Sequence, residues 1–149
     1  MKIEKQQTET YVLTDITSLD PITIYINNIC KGKGKITIEC YGRAWTNYWG
    51  GMGDQSIQEF FCGANNDYIL GKFLSKTDET DFDEISRQSN GAINATSGIE
   101  LAMMQSEMIE HFGGDWYMDL PTCKTAEYKY LSRIIDAVKE AFQIELLNS

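Results

Sequence analysis

Residues able to do chemistry are sparse in this chain. His111 is the only histidine, so any mechanism that needs an imidazole base must run through it. It falls in EMIEHFGG, the last turn of a predicted helix, where the negative helix end favours the protonated ring, so the position predicts capping rather than catalysis. The four cysteines, Cys30, Cys40, Cys62 and Cys123, contain no CxxC pair, which argues against a finger-type zinc site. The contexts NIC, IEC and FFC are apolar, the setting of a reduced, buried thiol used as a small hydrophobe in a cytosol. Cys62 or Cys123 would form a dyad with His111 only through contact in space, since no local nucleophile signature surrounds either. No catalytic set, metal or cofactor is expected.

Carboxylates are the abundant titratable groups. TDETDFDE, Thr77 to Glu84, holds Asp78, Glu79, Asp81, Asp83 and Glu84 within eight residues. Such a run can supply an acid/base pair or a calcium loop, but the EF-hand register D-x-[DN]-x-[DN]-G is missing, and a solvated acidic face is the plainer reading. KGKGK, from Lys31, is glycine-rich and basic. It lacks the G-x-x-x-x-G-K-[ST] phosphate loop and joins two predicted strands, so it reads as a hairpin tip. Asn94-Ala95-Thr96 matches a glycosylation sequon, which matters only in a secreted chain.

The aromatic residues are the other concentration of binding capacity. AWTNYWGGMGD places Trp45, Tyr48 and Trp49 beside three glycines. Their spacing of i, i+3, i+4 predicts a helical turn carrying all three rings on one side; a strand would put Trp45 and Trp49 on one face and Tyr48 on the other. Three roles are open to them: a small core locking the turn to a sheet, a partner-binding surface in which the rings anchor and the glycines admit a partner's backbone, or the wall of a small-molecule pocket.

These groups must be positioned by elements that the pattern makes legible. Pro21 to Cys30 and Lys35 to Gly42 alternate isoleucine with polar residues around the loop Lys31 to Gly34, which predicts a β-hairpin over about 21–42 with one buried face. The first ten residues are polar and aperiodic, a flexible arm or an edge segment. Ser56 with Glu59 forms a capping box ahead of Ile57, Phe60 and Phe61, with Gly63 as the stop, and NNDYILGKFLSK restarts a helix. The acidic run is a loop or a helix start, and SNGAINATSG, Ser89 to Gly98, is a linker within the domain. Ser97 with Glu100 opens a helix bearing Leu101, Met104, Met108 and Phe112 that Gly113-Gly114 closes; DWYMDLP is an extended connection. The last helix, about Thr125 to Leu147, presents Leu131, Ile134, Ile135, Val138 and Phe142 at helical spacing. The sum is an α+β fold, a small antiparallel sheet with several helices packed on one side, within a single domain of 1–149.

Composition sets the frame. With 42% hydrophobic and 23% charged residues the chain is too apolar to be disordered. Its apolar runs fall far short of the roughly 18 residues of a membrane span, and MKIEKQQTETYV lacks the apolar core of a secretory signal, so a cytoplasmic location without membrane contact is expected. The net charge is −9. Residues 1–76 balance 8 Lys/Arg against 8 Asp/Glu, whereas residues 77–149 carry 5 against 14. Such a potential opposes direct binding to nucleic acid and attracts a partner with a basic surface.

KITIECYGRAWTNYWGGMGDQSIQEFFCGANNDYILGKF, Lys35 to Phe73, resembles a segment of short accessory proteins carried by temperate, lambdoid-type phages and prophages of enteric bacteria: a strand ending in CYG, a W-x-x-Y-W-G-x-M-G signature, then helices with a paired aromatic and a tyrosine. The resemblance covers about a quarter of the chain and implies a genomic setting in which small acidic proteins inhibit host machinery, in the manner of anti-CRISPR proteins. The expected function is therefore a non-enzymatic accessory protein in the bacterial host cytosol. It would bind and modulate a host protein, such as a nucleic-acid-binding defence protein, through Trp45, Tyr48, Trp49, Asp78, Glu79, Asp81, Asp83 and Glu84. The rival expectation is a small enzyme or ligand-binding domain with a pocket near Trp45, Tyr48 and Trp49.

Overall fold

The alternation of isoleucine with polar residues from Pro21 onward is realised as strand geometry in the computed structural model, which describes residues 1–149. The elements in chain order are β1 (Glu9–Leu13), β2 (Ile22–Cys30), β3 (Lys33–Cys40), β4 (Arg43–Trp49), α1 (Ile57–Gly63), α2 (Asn66–Phe73), β5 (Asp78–Thr80), α3 (Phe82–Gln88), α4 (Gly98–Met103), α5 (Gln105–Phe112), β6 (Thr122–Lys124) and α6 (Ala126–Leu147). The fold is α+β. The chain divides into two compact units, residues 1–75 with 127–149, and residues 76–126.

The first unit is a four-stranded antiparallel meander, order β1-β2-β3-β4, with α1, α2 and α6. Ile22, Ile24, Ile26, Ile36 and Ile38 are at most 1% exposed and share a core with Phe61, Ile69, Leu70 and the α6 stripe Leu131, Ile134, Ile135, Val138 and Phe142. Burial of the alternate residues fixes the register, because a slip of one residue would carry the whole isoleucine set to the solvent face. Ser56 caps α1 in the reciprocal box with Glu59.

Two details of the hairpin region differ from expectation. The loop after β2 is the two-residue turn Lys31-Gly32, not the four residues Lys31 to Gly34; a bulge between Asn28 and Cys30 and a left-handed Gly32 (φ 77°) turn the chain early enough for Lys33 to begin β3. Residues 43–49 form a strand, not a helical turn. Tyr41 and Gly42 both have positive φ (49° and 74°), the backbone of a tight hairpin, and the chain returns along β3 with Ile38 opposite Trp45 and Gly34 opposite Trp49. The sheet partner overrides the helical spacing.

The second unit pairs β5 with β6 and packs α3, α4 and α5 around Ile85, Ile93, Ala95, Leu101 and Met108. The acidic run, expected as loop or helix start, supplies β5 and then the cap of α3, where Asp81 accepts from the Glu84 N–H at 2.9 Å. The segment expected as a linker contributes core: Ile93 is fully buried and Ala95 is 5% exposed. The expected single helix is broken at Met104 into α4 and α5, and DWYMDLP contains a 3-10 turn at Trp116–Met118 rather than an extended run. No helix is long and apolar enough to cross a membrane.

Candidate functional site

The strand geometry of β4 separates the three aromatic residues. Trp45 and Trp49 point into the core at 5% and 7% exposure, while Tyr48, on the other face, is 52% exposed. Trp45 donates its indole N–H to Glu127 Oε1 at 3.3 Å, lies against Tyr130, and has the Arg43 guanidinium 5.4 Å from its ring centroid. Arg43 in turn pairs with Glu127 at 3.0 Å. Tyr130 donates to Cys40 Sγ at 3.3 Å, and this bond together with burial pushes its phenol up to about 12. Trp49 packs against Phe60, Phe61 and Phe73 and donates to the Tyr68 hydroxyl at 3.1 Å. Both indole donors are thus satisfied inside the fold, as buried tryptophans require. Of the three rings, Tyr48 alone presents a surface. Three cavities of the first unit lie along the β1–β2 loop and α6 and around Asn28 and Ser56.

The five clustered carboxylates stay together in the second unit, but their roles diverge. Asp78 accepts from Thr77 Oγ1 at 2.7 Å and pairs with Lys124 at 3.1 Å, which holds its carboxyl below the usual range. Glu84 takes the Arg87 guanidinium in a two-pronged contact, Nε to Oε2 at 2.7 Å, and a further bond from Gln88; these lower its carboxyl to about 2. Asp81 caps α3. Glu79 and Asp83 remain exposed. Glu79, Asp81 and Asp83 line a polar cavity of about 390 Å³ with Asn94, Thr96 and Cys123.

The division into units also relocates the charge. Residues 76–126 carry 10 Asp/Glu against 3 Lys/Arg, a net −7 of the total −9, because the mixed charges of α6 belong to the other unit. Apolar side chains stand out on this acidic unit: Ile99 is 76% and Met103 is 81% exposed, four residues apart on α4, and Tyr117 and Met118 are 64% and 75% exposed. The sequence reading missed these residues, since Ile99 and Met103 lie off the stripe of Leu101 and Met108 and look like the ordinary outer face of an amphipathic helix.

The thiols are not uniformly buried as expected. Cys40 is buried, Cys62 and Cys123 are half-buried, and Cys30 is exposed because the buried face of β2 ends at Ile26; all four are free. Burial raises the Cys62 thiol, the opposite of an activated nucleophile, and its S–H donates to the Lys139 carbonyl. His111 sits exposed in the last turn of α5. No group of three His, Cys, Asp or Glu side chains is arranged to hold a metal ion.

A protein-family model described as a phage family matches residues 1–143. No curated protein and no solved structure matches the chain. The family match extends far beyond the Lys35 to Phe73 segment and takes in the sheet, the acidic unit and nearly all of α6, and on that extent the chain belongs to this phage family.

Proposed function

We propose that this phage-family protein is an accessory protein that acts by binding, without catalysing a reaction, and that its target is a host protein with a basic surface. The observation that carries the reading is the concentration of a net −7 in 51 residues that fold as one compact unit and also expose Ile99, Met103, Tyr117 and Met118. A dense charge of one sign steers a cationic partner but is screened beyond about 8 Å at physiological salt, so contact must be completed by apolar anchors. Exposed apolar side chains on the same unit supply them. A nucleic-acid-binding defence protein of an enteric host, met in its cytosol, has the required basic surface, and the phage protein would occupy that surface in place of nucleic acid.

The experiment uses full-length protein immobilised against host lysate at low and at high salt, followed by association kinetics on the identified partner. Glu79 and Asp83 are exposed, and Asp83 contributes only its charge to the first turn of α3, so Glu79→Lys with Asp83→Lys should lower the association rate several-fold at low salt and leave it unchanged at high salt. Met103→Asp should speed dissociation. Capture that is indifferent to salt and to both changes would overturn the proposal, as would failure to capture any protein while a small molecule is retained.

A further inference from the structure

A cavity of about 800 Å³ lies wholly in the first unit, between the β1–β2 loop and one flank of α6. The α6 flank is continuous: Arg133, Asp136, Ala137, Glu140, Ala141 and Ile144 follow one another at steps of one or three, beside the stripe that faces the core. From Arg133 to Ile144 it runs roughly 16 Å at 1.5 Å per residue, about three helical turns. The opposite wall is Leu13, Ile16 and Leu19. That wall is held by the Arg133 guanidinium, which donates to the Ser18 carbonyl at 2.7 Å, and by left-handed backbone at Asp15 and Ser18 (φ 58° at each). Two non-glycine residues in this region within four positions represent conformational energy spent on the shape of the wall.

The floor is small and apolar and the rim is acidic. Ala137 and Ala141 are one turn apart and leave space for a backbone to approach, and Ile144, 54% exposed, stands at the end of the cleft. Asp15, Asp136 and Glu140 line it with a single cation, Arg133, whose guanidinium is turned to Ser18; Asp136 accepts through Oδ1 from the Asn66 amide at 2.8 Å and keeps its second oxygen for a partner. We infer that this cleft is a docking groove for a cationic amphipathic helix of a partner protein, about three turns long, with its apolar stripe on Ala137, Ala141 and Ile144 and its lysines or arginines over Asp136, Glu140 and Asp15. Helix-in-groove recognition needs an apolar trough of this length, and the excess of carboxylates on the rim selects the sign of the flanking charge. A second copy of the chain is disfavoured as occupant, because a two-fold contact through this flank would bring Asp136 and Glu140 against their own kind. The groove is lined by the first unit alone, and the inference does not rest on the function proposed above.

The test is fluorescence anisotropy on full-length protein with a labelled 12-residue peptide, leucines at i, i+3, i+4 and i+7 flanked by lysines, against a peptide of the same composition with the leucines scrambled. The patterned peptide should bind at least about tenfold more tightly, the effect of one well-packed anchor. Ile144→Asp and Asp136→Asn with Glu140→Gln should each weaken it several-fold; all three side chains are exposed and Asp136→Asn keeps an oxygen that can accept from Asn66, and circular dichroism checks that the variants fold. Equal affinity for the scrambled peptide would overturn the inference, reducing the cleft to unspecific charge attraction. So would insensitivity to Ile144→Asp, or a chain that sediments as a dimer dispersed by the same change.

Discussion

The indole N–H of Trp49, on β4, donates to the hydroxyl of Tyr68, on α2, at 3.1 Å. This bond ties the last strand of the sheet to the helices above it, inside a ring of Phe60, Phe61 and Phe73. Tyr68→Phe leaves the indole donor without its partner and should cost about 1 kcal/mol in urea denaturation. Trp49→Ala removes a core ring and should cost about 3–5 kcal/mol. Equal stability of Trp49→Ala and the parent chain would show that the ring is not core.

Two glycines are expected to respond in opposite directions to alanine. At Gly34 on β3 a Cβ would lie 2.6 Å from Ile57 Cγ1, so α1 could no longer approach the sheet, and Gly34→Ala should destabilise by about 1–3 kcal/mol. At Gly71, inside α2, a Cβ meets nothing within 4 Å, and Gly71→Ala should stabilise by roughly 0.5–1 kcal/mol through helix propensity. Chemical denaturation of the two variants side by side checks the sign.

Acid should weaken the second unit through Glu84. Its folded carboxyl titrates near 2 because Arg87 and Gln88 hydrogen-bond the carboxylate, against an ordinary 4.5. A depressed folded value means a contribution fully present above 4.5 and lost as pH falls towards about 2. An NMR titration of the Glu84 carboxyl should give the low midpoint, and Arg87→Ala should return it towards the ordinary value. A midpoint unmoved by that change would show that the pairing is not its cause.

Thiol reagents should distinguish the cysteines by position. In folded protein Cys30 should react first and Cys40 only on unfolding, since one is exposed and the other is 1% exposed. Denatured, non-reduced protein should yield four thiols. Cys30→Ser should remove the fast phase alone.

Strands β2 and β3, the capping box at Ser56 and Glu59, and the stripe of α6 could be read directly from the sequence. Each is a local pattern whose period matches the structure it forms, and a sheet buried on one face leaves no other register for Ile22, Ile24 and Ile26. The misread stretch at Trp45 to Trp49 has a different origin. A spacing of i, i+3, i+4 suits a helix, but residues i and i+4 also share a strand face, and which geometry wins depended on the turn at Tyr41-Gly42 delivering the chain back to β3. Ile93 and Ala95 were hidden among small polar residues, because nothing local marks a loop that plugs a core.

Charge asymmetry and the five carboxylates were likewise sequence facts, and so was the inventory of one histidine and four cysteines without a CxxC pair. Tertiary structure decided which carboxylates are engaged and which stand free, because ion pairing such as Asp78 with Lys124 joins residues 46 positions apart. It also decided that two of three clustered aromatics are buried, since burial depends on what the rest of the chain stacks above a strand. The cleft on the flank of α6 has the same origin: its walls come from residues 12–19 and 133–144, and only folding brings segments so distant in sequence into one groove.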